Sequence, residues 1–578
     1  MNKLKELIQN SKEVIKNFPF VLLSSFVATI SLIAFNELDS IPHQDFCIRL
    51  AYVALLGNSL FFGLTVYGAR YGKPLLSNSL GVLILVYYFY FLIPAGPPSD
   101  WTSLHSINFF VSAILFHLFS AFAPFIGKHD SATFWQYNKN LFLRLLRTKI
   151  FSGVLVFGIM LSIFSIDQLF LTELDKRFYM YPSIVLSVIG SSFIFLLFSR
   201  KGLPQLLEKT SYPNFLKFFS QYILIPLLLI YVIILDIYGI KILLLQELPK
   251  GFVSLPIMAY CVIGILAILL TYPLQNKEKK NWISYFSKWF YILALPLLAL
   301  LFTGIITRIL DYGFTENRYF ILVLGLWMTF ISFYYIFLRN ASIRMIPMSL
   351  FLVGLISLAA PYYNVFSTTN RSQFNQLNEL LKNNDLLLEN NTIAFDRPVK
   401  NDVVNRINET FHFLKNRSEK SKLEKYFNNQ EKADKIFKEQ NYLRNEFTNV
   451  INNSNHVSTK YTYCDIYSPT KVLNISEWEY IFPDILRSHE DEKEMIIERD
   501  TFLYTRKHDC KLVQQIKLKE AGEEEWLSLN ISELLDNLKD TLNATYGNLN
   551  KKKTHHEELF IQGSLGSYTI KVVFFRLK

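Results

Sequence analysis

Apolar residues gather in long uninterrupted stretches along the first two thirds of the chain and thin out beyond them. Eleven runs of at least 17 residues without Asp, Glu, Lys or Arg occur before residue 371, whereas the longest such run after it, at 447–459, has 13 residues and is polar. A hydrocarbon core about 30 Å thick is crossed by roughly 20 apolar residues in a helix rising about 1.5 Å each. The runs at 17–36, 50–69, 74–99, 101–127, 150–166, 178–199, 218–235, 251–276, 289–307, 319–338 and 345–370 fit that requirement. They are continuously apolar, where barrel strands alternate in segments of about ten residues, so they predict helices. The expected architecture is an all-α polytopic membrane bundle of about 11 transmembrane helices over residues 19–366, followed by a soluble α+β domain over residues 367–578.

The two ends of that scheme have their own periodicities. Residues 1–18 place Leu4, Leu7, Ile8, Val14, Ile15 and Phe18 largely at helical spacing among four lysines, the pattern of an amphipathic helix on the cytoplasmic leaflet. No small-x-small cleavage pattern follows Phe35, so the first span is expected to stay uncleaved. In the tail, Phe374, Leu377, Leu380 and Leu381 share one face of a helix at 372–383, and Val403, Ile407, Phe411 and Leu414 share one at 402–414. A third helix is expected at 420–450. Strands are expected at 471–481, 494–504, 511–519 and 526–531, then a helix at 532–546 capped by Ser532, then a hairpin of 558–562 with 568–577.

Charge assigns the sides. The chain is 51% hydrophobic and only 19% charged, against about a quarter charged in soluble domains. Loops on the side of the N-terminus carry 21 Lys and Arg, those on the other side 7, which places the N-terminus in the cytoplasm and, after an odd number of spans, the tail outside it. Residues 1–366 carry +12 and the remainder −1 of the net +11. The excess of positive charge is therefore a topology signal and implies no nucleic-acid partner. The expected partners are the lipid bilayer, with a lipid headgroup or an envelope protein beyond it.

Motifs narrow the chemistry mostly by absence. There is no Walker loop, dinucleotide fingerprint, His-Glu-x-x-His or paired Cys-x-x-Cys, so no cofactor or metal is expected, and nothing offers the phosphate cradle of an ATP-driven pump. His555, His556, Glu557 and Glu558 are consecutive, and neighbours on a strand face opposite ways, which makes a poor metal cage. Cys47 and Cys261 fall in or beside spans, while Cys464 and Cys510 fall in strand-like tail segments and are either a disulfide, if the tail is extracytoplasmic, or two unpaired thiols.

The densest polar turn joins the ninth and tenth spans, where Arg308, Asp311, Glu316 and Arg318 fall within eleven residues. Charges at a membrane boundary pair with one another or line a polar cavity. One reading is a pocket in which Arg308 and Arg318 hold an anionic headgroup or carboxylate and Asp311 or Glu316 orients it or acts as a base. The other is a salt-bridged loop fixing two spans in register. Asp236, near the outer end of the seventh span, joins either network. Prolines 226, 256, 296 and 347 interrupt spans as in transporters, but no charge is expected mid-bilayer to bind an ion. Trp101, Trp135, Trp282, Trp289 and Tyr362 suit an interfacial belt.

Four strings resemble a bacterial membrane family, the domain of unknown function numbered forty-one fifty-three: Phe134-Trp135-Gln136-Tyr137-Asn138, Leu248-Pro249-Lys250-Gly251-Phe252-Val253-Ser254, Tyr312-Gly313-Phe314-Thr315-Glu316-Asn317-Arg318-Tyr319 and Ser372-Gln373-Phe374-Asn375-Gln376-Leu377. The resemblance implies a polytopic inner-membrane protein with a soluble C-terminal extension, and it transfers no catalytic residue. The role that fits is envelope binding, sensing or assembly through the tail. Its rivals are a membrane-embedded transferase on lipid-linked substrates, using Asp39 or Asp45 of the first outer loop, and a solute transporter using the proline-broken spans.

Overall fold

The computed structural model describes residues 2–451, apart from 39, 94–100, 102, 128–129, 171–173, 246–253, 276–281, 339–340, 389, 418–419, 439–441 and 448–449. Beyond these it describes the segments 492–497, 500–506, 513–519, 527–530, 558–565 and 568–576. The chain divides into two compact units, Met1–Asn455 and His456–Lys578.

The first unit is helical. In order it contains α1 Asn2–Asn17, α2 Pro19–Glu37, α3 Ile41–Tyr71, α4 Pro74–Tyr87 with a π turn to Leu92, α5 Ser103–Phe122, α6 Ser131–Phe170 and α7 Lys176–Val185. A π turn joins α7 to α8 Ser191–Phe198. There follow α9 Leu203–Leu207, α10 Asn214–Phe218 joined by another π turn to α11 Ile225–Leu245, α12 Ser254–Thr271, α13 Trp282–Tyr312, α14 Glu316–Phe337, α15 Met345–Ala359 and α16 Val365–Asn383. Prolines 19, 42 and 74 open α2, α3 and α4, where the missing N–H is not needed.

Among the described residues, ten helices are long and apolar enough to cross a membrane: α2, α3, α4, α5, α6, α7 with α8, α10 with α11, α12, α13 and α14. The chain is thus a multi-pass membrane protein in contact with the bilayer. The eleventh expected span, 345–370, is not one helix. The charge-free run continues, but α15 ends at Ala359 because Pro361 pushes Ala360 into the extended region (ψ 123°). A new helix, α16, then starts at Val365, with the Asn364 side chain accepting the Ser367 N–H at 2.7 Å.

Two apolar clusters organise the bundle. The first joins α1 to α6, α8 and α9 through Val14, Leu56, Phe62, Tyr137 and Leu196. The second joins α11 to α15 through Ile257, Phe290, Leu298, Met328 and Ile331, and Leu269 packs against both. Small and hydroxyl residues let α2 and α3 approach closely: Ser24 Oγ donates to Ala54 O at 2.6 Å, Ser25 Oγ donates to Asn58 Oδ1 at 2.8 Å, and a Cβ on Gly57 would collide with Ser24 Oγ.

Contacts between helix ends sort them into two sets. At one end Arg200 meets Glu13 and Asn17, Tyr71 donates to Ile126 O, and Arg344 donates to Phe125 O. At the other, Arg177 meets Glu37, Arg49 donates to Phe89 O, and the α13–α14 turn meets α16. Successive spans alternate between the sets, and the chain leaves α15 at the second end, where Tyr319 Oη donates to Tyr363 O at 2.7 Å.

After α16 the unit adds β1 Val399–Lys400, α17 Asn401–Lys415, α18 Lys420–Leu423, α19 Gln430–Lys438, α20 Tyr442–Glu446 and β2 Val450–Ile451. The expected single helix at 420–450 is therefore three short helices and a strand, and β2 pairs parallel with β1, Val399 opposite Val450. A third cluster lies here, built on the apolar faces of α16 and α17: Leu377, Leu381, Val404, Ile407, Phe411 and Leu414.

The second unit, where described, contains β3 Glu492–Ile497, β4 Asp500–Arg506, β5 Val513–Lys519 and β6 Leu527–Asn530 in one antiparallel sheet in that order, and a hairpin of β7 Glu558–Leu565 with β8 Tyr568–Arg576. The strand expected at 494–504 is two antiparallel strands, with Ile497 opposite Asp500. The strand expected at 471–481, the helix at 532–546, Cys464, Cys510 and His555 to Glu557 lie outside the described residues, as does Asp39 of the first unit.

Candidate functional site

The polar turn between α13 and α14 is closed over by α16 and α17. Gly313 shapes it: its φ of 70° is left-handed, and a Cβ there would sit 2.8 Å from Gln373 Nε2 and 3.0 Å from Ser372 Oγ. That close approach lets Ser372 Oγ accept the Phe314 N–H at 2.8 Å, while the buried Gln373 amide donates to Tyr312 O at 2.9 Å and Phe314 O at 2.8 Å. The turn's backbone groups are thus satisfied by side chains from α16.

Glu316, in the first turn of α14, is buried. Arg417, just past α17, grips it with both arms, Nε to Oε1 at 2.6 Å and Nη2 to Oε2 at 2.7 Å. The guanidinium also donates to Phe413 O at 2.7 Å and lies 3.2 Å from the Phe413 ring centroid. A planar fork on a carboxylate is the strongest common form of ion pair.

The arginines of the turn take other roles. Arg318 Nη1 donates to Gly313 O at 2.8 Å and Tyr312 O at 3.2 Å, and Arg406 Nη2 of α17 donates to Asp311 O at 2.6 Å, where Gln376 Nε2 also donates at 3.2 Å. Both guanidiniums lie over the Tyr312 ring, each 5.5 Å from its centroid. The Asp311 side chain is exposed and Arg308 is half-buried. Arg371 covers Tyr362 at 3.8 Å.

The structure therefore gathers Arg308, Asp311, Glu316 and Arg318, but not Asp236. Gly239, three residues beyond Asp236, faces Leu300 of α13; Arg308 is eight residues further on, so Asp236 lies about 16 Å below it at 1.5 Å per residue. Asp236 is inside α11, and its electrostatic neighbour is Tyr260 of α12. Arg406 and Arg417 escaped the sequence reading. The signal within reach was the Ser372-Gln373 string, which marks the helix that closes the turn.

Burial and neighbouring charge perturb groups on α17. Desolvation, then the Lys415 and Arg417 charges, push His412 below its ordinary value, and Asn416 Nδ2 lies 3.0 Å from His412 Nδ1, suiting a neutral acceptor nitrogen. Desolvation also lowers Lys415.

A second polar belt lies at the opposite end of the bundle, on the string from Phe134 to Asn138 and the turns after it. Lys139 Nζ is buried and donates to Thr210 O at 2.9 Å, Thr210 Oγ1 at 2.7 Å and Ser211 O at 3.4 Å. Asn140 Nδ2 donates to Leu206 O, Arg144 Nη2 to Gln205 O, and Trp135 Nε1 to Leu269 O. Lys139, Asn140 and Arg144 satisfy carbonyls of α9 and the turn after it, and Trp135 one of α12, which is structural work. Asp45, in the first outer loop of the sequence reading, is paired with Arg49 at 3.5 Å.

An uncharacterized protein of Pasteurella multocida (strain Pm70), PM1469, is 25% identical to the chain over 369 residues, which cover 63% of this chain and 59% of that protein. The chain thus spans less than two thirds of that relative's length. No solved structure matches. The family model described as Domain of unknown function (DUF4153) matches residues 22–392, more than half of the chain, including the α13–α14 turn and α16. The chain, a multi-pass helical membrane protein, belongs to that family.

Proposed function

We propose that the chain is a bacterial inner-membrane protein with a cytoplasmic amphipathic helix over 1–18, a transmembrane bundle over 19–366 and an extracytoplasmic α+β part over 367–578 that serves in envelope binding, sensing or assembly. The bidentate hold of Arg417 on Glu316 carries this reading, because it fixes the first helices of the tail to the α13–α14 end of the bundle. Their side of the membrane is then that of the turn. Nine spans precede the turn, and the 21 to 7 distribution of Lys and Arg supports a reading with the N-terminus inside and the turn outside.

Within this reading the ligand-facing groups are Arg308, Asp311 and Arg318, while Glu316 serves the fixing of the tail. Cys464 and Cys510 would meet an oxidising compartment and form a disulfide. The test is labelling of single-cysteine variants at these two positions in intact cells with a membrane-impermeant thiol reagent. Labelling of each without permeabilisation, and of the unsubstituted pair only after reduction, is the expected result. Labelling only after permeabilisation would place the tail in the cytoplasm and overturn the envelope role, and turnover of a lipid-linked substrate by the purified protein would replace it with the transferase.

A further inference from the structure

Two guanidinium groups, from α14 and α17, lie over Tyr312, and a third stands one turn before it on α13. Arg318 of α14 and Arg406 of α17 are each 5.5 Å from the Tyr312 ring centroid, and the charge of Arg308, one turn before Tyr312 on α13, opposes that of Arg318. Among the described residues none of the three is in an ion pair; the pairs are made by Arg49, Arg177, Arg200, Arg417 and Lys420. Among the described residues their bonds go to backbone carbonyls through a single Nη of Arg318 and of Arg406, and none is made by Arg308. Most of their donors are therefore unspent. Of the two carboxylates of the turn, Glu316 is occupied by Arg417, and Asp311 is exposed and, among the described residues, in no ion pair.

Like charges held together without a counter-ion cost stability, and the cost is recovered when an anion sits between them. Guanidinium forks match the oxygens of phosphate. Beside the three arginines, Leu310 is 76% exposed and Tyr312 51% exposed at the end of a membrane helix, which suits a ligand with an apolar part in the bilayer and its charge at the interface. We propose that Arg308, Arg318 and Arg406 hold the phosphate group of a membrane lipid at the α13–α14 turn. This rests on reading the turn as a ligand site, and it holds on whichever side of the membrane the turn lies, so thiol labelling and lipid binding can fail separately.

The test uses the full chain in phosphatidylcholine nanodiscs doped with phosphatidic acid, with retained phosphatidic acid counted by native mass spectrometry. The unsubstituted protein is expected to retain it, Arg308→Gln and Arg406→Gln to weaken retention about tenfold or more, and Arg308→Lys to weaken it less, since the charge stays while the fork is lost. Asp311→Asn is expected to tighten binding about twofold to fivefold by removing a nearby negative charge, a gain that misfolding cannot mimic. Equal retention by the triple Gln variant with an unchanged melting temperature would overturn the proposal. Displacement of the lipid by inorganic phosphate at comparable concentration would overturn the lipid as source and assign the site to free phosphate.

Discussion

Arg417 and Glu316 are 101 residues apart in sequence, yet their side chains form two charge-assisted bonds of 2.6 and 2.7 Å and are 9% and 6% exposed. Removing one partner of such a pair leaves the other charged and buried, which costs about 3–5 kcal/mol. Arg417→Ala is therefore expected to raise amide exchange across α16 and α17 and to expose residues 365–451 to protease, while the helices of the first apolar cluster stay protected. The double change Glu316→Leu with Arg417→Met, which removes both charges, is expected to recover much of the loss. Hydrogen exchange on the detergent-solubilised protein checks both.

Gly313 offers a sharper probe of the same junction. Alanine there meets a left-handed backbone, worth about 1–2 kcal/mol, and pushes on Gln373 Nε2 and Ser372 Oγ. Gly313→Ala is expected to lower the melting temperature and to raise exchange at the first turns of α16.

The sequence announced these two residues unequally. Glu316 and its neighbours stood out because a charged turn between apolar spans is conspicuous, and a salt-bridged loop was among its expected forms. The partner was not legible: Arg417 lies in a polar stretch where one arginine looks like any other, and only the fold brings it back to α14. The crowding of Gln373 on Gly313 is equally a tertiary fact. Spans were legible because each buries an apolar run by itself. The end of α15 at Ala359 was missed because absence of charge is blind to Pro361, and the break-up of 420–450 because helical periodicity does not register where short helices turn.

His412 gives the junction a pH dependence. Its folded-state value is below the ordinary 6.5, so the unfolded chain binds more protons there and stability falls with acidification. The contribution is complete above about pH 6.5 and is lost as pH falls through the depressed folded-state value. Protease resistance of residues 365–451 is expected to decline below about pH 6.5, and His412→Gln to flatten that decline.

At the far end of the bundle, Lys139 donates to two carbonyls and a hydroxyl of the segment after α9. Lys139→Met keeps the stem and removes the donors, leaving buried acceptors unmatched at about 1–3 kcal/mol. A lowered melting temperature with unchanged exchange at α16 and α17 is expected, because the two polar belts are at opposite ends.

The brevity of α15 bears on the bilayer itself. Its 15 residues reach about 22 Å at 1.5 Å per residue, against about 33 Å for the 22 residues of α14 beside it. Arg344 at its start is drawn toward the turn after α5 through Phe125 O, and Leu115 of α5 packs against Gly354 of α15. Where α15 faces lipid, its apolar length is expected to fall short of the acyl layer, and local thinning is the cheapest response, at fractions of a kcal/mol per Å. A bilayer thinned locally along this flank is the consequence expected of so short a helix.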